Sequence, residues 1–207
     1  MMESHASLPQ TQEIAAQEQP IASRSRRRDA MEIGVAYALI LAVEWTSRPL
    51  QGVLWLVAVT GLALIIWRSF DGGRAMGFRL TNLGRSLWIS GAALALAAIF
   101  ISAADRMHTL RVAGGIRAFI ASFFAYAIWS GVQQILLQGV FLLRFLRLIA
   151  RPAAAAFVAS TFFALAHVPN PVLTPITLLW GFVACLLFLR YRNIYPLMIA
   201  HAVLGIA

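Results

Sequence analysis

The stretch WSGVQQILLQGVFLLRFLR, residues 129–147, sets two adjacent glutamines and a third, four residues on, inside an apolar run that ends in two arginines. A run this long and apolar reads as a membrane-spanning helix, because in lipid a segment must satisfy its backbone groups internally. Amides are costly in that setting, so Gln133, Gln134 and Gln138 are the first candidates for function.

The rest of the chain supports the same solvent. Of its 207 residues 60% are hydrophobic and 12% charged, too apolar for a water-soluble globule. Seven apolar segments, 33–46, 52–67, 86–104, 118–143, 152–168, 172–189 and 194–207, are separated by breakers such as Ser47-Arg48-Pro49, Asp71-Gly72-Gly73 and Pro169-Asn170-Pro171. The expected fold is an all-α polytopic transmembrane helical bundle of about seven spans, with no internal repeat. Residues 1–30, rich in Gln, Ser, Ala and Glu, are expected to form a disordered cytoplasmic tail, and 31–207 the transmembrane helical domain. The last segment, at about 1.5 Å per residue, falls short of a hydrocarbon core of about 30 Å. It is therefore expected to be truncated, half-spanning or buried in protein.

Charge orients the bundle. All 17 basic residues are arginine. With the amino terminus inside, the tail, the 68–85 loop, the 144–151 loop and Arg190 with Arg192 hold 13 of them, and only Arg48, Arg106, Arg111 and Arg117 lie outside. This asymmetry predicts a cytoplasmic amino terminus and reads the arginines as topological markers rather than as nucleic-acid contacts.

Polar residues within the spans narrow the site. Ser122, Tyr126, Ser130, Gln134 and Gln138 recur every four residues, on one slowly spiralling helix face, with Gln133 about 100° aside. The fifth span adds Ser160, Thr161 and His167, and the seventh His201. Each taken singly reads as glue between helices; two histidines that could converge with the amides point further. Glu44 is the sole acid expected within a span, and it either serves the site or snorkels toward Arg48. Cys185 reads as packing. Two histidines are fewer than the three protein ligands usual for catalytic zinc, so neither a metal nor another cofactor is expected.

Taken in order, QQILLQG at 133–139, FALAH at 163–167 and His201 resemble the CPBP family of intramembrane proteases, also called Abi, which includes the type II CAAX prenyl proteases. The resemblance covers about 75–207. It implies that Gln133 and Gln134 stand where the family's motif carries two glutamates and Gln138 where it carries an arginine. Phe163 and His167 match outright; His201 matches, while Gly205 occupies the position of an expected Asn or Asp. In the family the first glutamate activates water and the histidines orient it and stabilise the oxyanion. A glutamine amide accepts no proton near neutrality, so the three glutamines read as an uncharged isostere of a catalytic cluster.

The resemblance thus implies an intramembrane endopeptidase acting on membrane-anchored or prenylated-type protein substrates, with activity reduced or absent. The alternative is a catalytically inactive membrane protein that binds transmembrane or lipidated segments. An unrelated transporter would show paired broken helices in two repeated halves, which this sequence lacks. The expected surroundings are the lipid bilayer, in an integral membrane protein of a bacterial inner membrane, with no nucleic-acid partner.

Overall fold

In the computed structural model, residues 25–109 and 115–206 are described, and the helices follow the apolar segments. They are α1 (Arg26–Trp45), α2 (Arg48–Arg68), α3 (Leu83–Arg106), α4 (Gly115–Gln134), α5 (Leu143–Leu148), α6 (Pro152–Leu165), α7 (Leu173–Tyr191) and α8 (Tyr195–Ile206). A π-helical segment, Ile135–Leu142, joins α4 to α5 without a break, so the described residues form seven rods. The all-helical bundle is as expected. By length and composition α2, α3, the α4–α5 rod and α7 are able to cross a membrane, whereas α6 and α8 are shorter apolar helices.

Local chemistry sets the helix ends. Ser25 caps α1 by accepting from the Arg28 amide at 3.3 Å, and Pro49 and Pro152 sit in the first turns of α2 and α6, where a missing N–H costs nothing. Helix α1 thus begins at Arg26, within the stretch expected as tail; residues 1–24 lie outside the described residues. Helix α7 is capped by Arg192, just past its end, whose φ of 48° turns the chain back into α8.

Packing explains the short last helix. Helix α8 lies against both α3 and α4, and its Leu197, Ala200, His201 and Ala202 are buried. It is covered by protein and has no need to span. Helices α6 and α7 pair closely, with Gly181 set against Phe163 and Ser160, so that a Cβ at 181 would lie 3.1 Å from the Phe163 ring. Leu137, Leu142, Leu143, Phe188 and Leu197 fill the core between these elements.

One end of the bundle gathers the basic segments. Arg26 donates to the Leu148 carbonyl at 2.7 Å, Arg28 to that of Arg68 at 3.0 Å, and Asn193 to that of Arg79 at 2.9 Å. Two ion pairs tie α1 to α5: Arg144 lies 2.8 Å from Glu32, and Arg147 2.7 Å from Asp29 and 3.3 Å from Asp71. Arg144 and Asp29 are fully buried. The loop arginines read as topological markers therefore include two that form an internal charged ladder.

Candidate active site

The π-helical segment shapes the site. A strict α-helix would set Gln134 and Gln138 on one face by spacing alone; here the turn between them is widened. The Arg144 side chain reaches back into this stretch, its Nη1 donating to the carbonyls of Val140 at 3.0 Å and Gly139 at 3.4 Å. A side chain competing for backbone carbonyls is one cause of such irregular turns, which recur at functional sites. Gly139 in turn receives Met76, whose Cε would lie 2.6 Å from a Cβ there.

Above this turn three side chains form a chain. Gln138 Nε2 donates to Gln134 Oε1 at 3.3 Å, and Gln134 Nε2 lies 3.0 Å from His201 Nδ1. An amide nitrogen only donates, so with the amides in this orientation His201 accepts on Nδ1 and carries its hydrogen on Nε2. Turning the Gln134 amide alone would set its nitrogen against that of Gln138, donor to donor, so the two amides can turn only together, with the His201 hydrogen moving to Nδ1. Both glutamines are fully buried, and His201 is 7% exposed.

His167 has the complementary polarity. It lies in the turn just past the end of α6 at Leu165, not inside the helix as the segmentation implied. Its Nδ1 lies 2.8 Å from the Phe163 carbonyl, which can only accept, so a hydrogen is on Nδ1 and the neutral ring presents its lone pair on Nε2. The Phe163 ring bridges the two imidazoles, with centroids 5.1 Å from His167 and 5.9 Å from His201. One histidine thus offers an acceptor and the other a donor.

Aromatic rings close around His201. Trp180 lies 5.9 Å and Tyr126 6.4 Å from it, centroid to centroid. The indole Nε1 of Trp180 and Gln138 Oε1 are buried and make no hydrogen bond among the described residues. Sequence reasoning missed Trp180, because a tryptophan in an apolar helix looks like packing. Gly205 also gains a reason: a Cβ there would run into the Tyr126 hydroxyl and lie 2.6 Å from its Cζ. The tyrosine occupies the space that a larger residue at 205 would need.

Several candidates stand apart. Gln133 is half-buried and makes no hydrogen bond among the described residues. Ser130 and Ser160 bond back to carbonyls of their own helices, at 2.9 Å to Tyr126 and 2.8 Å to Phe157, and Ser122 is exposed. Glu44 is exposed in the last turn of α1 and, among the described residues, pairs with no arginine, so the expected link to Arg48 is not formed. No three His, Cys, Asp or Glu side chains among the described residues gather as metal ligands would.

Residues 116–207 match the family model described as type II CAAX prenyl endopeptidase Rce1-like. The matched span holds every member of the Gln138–Gln134–His201 chain, together with His167, Trp180 and Tyr126, and agrees with the resemblance carried by the three motifs. No curated protein and no solved structure matches the chain. The carboxyl-terminal part is thus similar to the type II CAAX prenyl endopeptidases, in a helical chain with four helices long and apolar enough to cross a membrane.

Proposed function

We propose that the protein binds membrane-anchored or lipidated protein segments beside His201, on a scaffold similar to CAAX-type endopeptidases, with peptide-bond hydrolysis reduced or lost. The observation that carries this reading is the buried, uncharged Gln138–Gln134–His201 chain. Its amides spend their hydrogen bonds on one another and on an imidazole, and none can take a proton from water. The Trp180 N–H and the Gln138 carbonyl, buried and without a hydrogen bond among the described residues, are a donor and an acceptor that a peptide group could engage. The bilayer of residence is a bacterial inner membrane, with the basic end of the bundle facing the cytoplasm.

A second reading, a slow endopeptidase, is favoured by one feature: the lone pair on His167 Nε2. There it would deprotonate water, while His201 Nε2–H and the Trp180 N–H hold the developing oxyanion. One experiment separates the two. Protein reconstituted in proteoliposomes is offered a library of membrane-anchored peptides, prenylated and not, carrying photo-crosslinkers. Crosslinking to α7 and α8 without cleavage is the expected result. Cleavage abolished by His167→Ala establishes the second reading, and neither crosslinking nor cleavage overturns both.

A further inference from the structure

Unspent polarity also occurs at the basic end of the α1–α2 hairpin, outside the residues matched by the family model. A groove of about 840 Å³ runs there between the first turns of α1 and the last turns of α2. Arg27, Arg28 and Arg68 line its mouth, and Met31, Val35 and Leu64 its wall. Those three apolar side chains are 60%, 51% and 46% exposed.

Its charge is unbalanced. Glu32 is the acid in the lining, and its carboxylate is already held by Arg28 at 2.9 Å, Arg144 at 2.9 Å and the Ser69 hydroxyl. Arg28 also serves the Arg68 carbonyl. The guanidinium groups of Arg27 and Arg68 make no hydrogen bond or ion pair among the described residues. Beside them Trp67 is 78% and Phe70 55% exposed, aromatic side chains of the kind that collect at the level of lipid headgroups.

Two unpaired guanidinium groups above an apolar wall, at the end of a membrane hairpin, suit one class of ligand. A phosphate ester accepts the planar fork of arginine, and acyl chains cover the exposed Met31, Val35 and Leu64. A zwitterionic lipid brings no net charge, and a soluble anion makes no use of the wall. We propose that this groove holds an anionic glycerophospholipid, with its phosphate between Arg27 and Arg68 and its acyl chains along α1 and α2.

Native mass spectrometry of the full-length protein, titrated with phosphatidylglycerol or phosphatidylcholine of identical acyl chains, tests this. The expected result is selective retention of phosphatidylglycerol. A basic residue near an anionic lipid is worth roughly fivefold in binding, so Arg27→Ala with Arg68→Ala should weaken phosphatidylglycerol roughly twenty- to thirtyfold and leave phosphatidylcholine unchanged. Arg106→Ala, at the far end of α3, should change neither. If the alanine pair fails to fold, Arg27→Gln with Arg68→Gln reads the same charge loss. Wild-type selectivity in the charge-loss variant overturns the proposal. So does an equal loss with Arg106→Ala, and so does displacement of the lipid by equimolar inorganic phosphate, which marks a small-anion site.

Discussion

Gln134 reaches His201 across 67 positions of sequence with a single 3.0 Å hydrogen bond, and the end of the amide that faces Nδ1 sets which imidazole nitrogen carries the hydrogen. Gln134→Leu should leave His201 Nδ1 buried without a partner, at a cost of about 1–3 kcal/mol. Denaturation in detergent micelles checks the loss. Nitrogen-15 NMR of the imidazole should report a changed tautomer ratio, which a mere packing defect would not produce.

Restoring charge tests the chemistry. Gln134→Glu with Gln138→Arg places a carboxylate and a guanidinium where two amides now meet at 3.3 Å. If the missing base limits hydrolysis, cleavage of crosslinking peptides should rise by about 10²–10⁴ over the natural protein. Either change alone buries an unpaired charge and should lower stability by about 3–5 kcal/mol. A double variant that folds, crosslinks and still cleaves nothing would show that the lost base is not what holds activity down.

The space above Gly205 is taken by Tyr126. Gly205→Ala should therefore cost about 1–3 kcal/mol through overpacking, and Tyr126→Leu in the same chain should recover part of it. Additive losses in the double-mutant cycle would separate the two positions. Tyr126→Phe should be mild, within about 1 kcal/mol, since the hydroxyl makes no hydrogen bond within the described residues.

The ladder between α1 and α5 makes a different demand. Arg144 is 1% exposed and its carboxylate partner Glu32 13%. Glu32→Gln should cost about 3–5 kcal/mol by leaving a buried cation, whereas Glu32→Leu with Arg144→Met should come close to the natural stability. Thermal unfolding of the three proteins checks the order.

Hydrogen bonds place the starts of α1 and α3, the end of α5 and the α7–α8 turn at one end of the bundle. Single cysteines introduced beside Arg28 and Arg151 should thus be shielded from an impermeant maleimide in intact cells, while one beside Arg106 is labelled. The reverse pattern would invert the assigned orientation.

The helices were legible because lipid imposes one rule on every span: long apolar runs interrupted by Pro, Gly and Arg. Their ends were less so. Asp29 and Glu32 sit three residues apart, as do Arg144 and Arg147, a spacing that suits two rungs between facing helices, but pairing across 112 positions or more cannot be read from one chain. His167 and His201 stood out as intramembrane imidazoles, whereas Trp180 did not, because its N–H becomes conspicuous only once its burial is known. Equal spacing grouped Ser130 with the glutamines, yet a serine in a helix can satisfy itself on the carbonyl one turn back. Among the three glutamines, spacing alone did not say that Gln133 would stand aside.

The stretch from Ile135 to Leu142 works as a phase shifter. An ordinary helix advances about 100° per residue, so the azimuth of the amides would rigidly dictate that of Arg144 and Arg147 further down the same rod. Bonding five residues apart instead of four slips that dial, and each group can then aim at its own neighbour, one at α8 and the other at α1. Winding the same residues at ordinary gearing would turn the lower part of the rod by roughly a quarter revolution. One of the two engagements would then be lost even though every side chain that makes them remained in the chain.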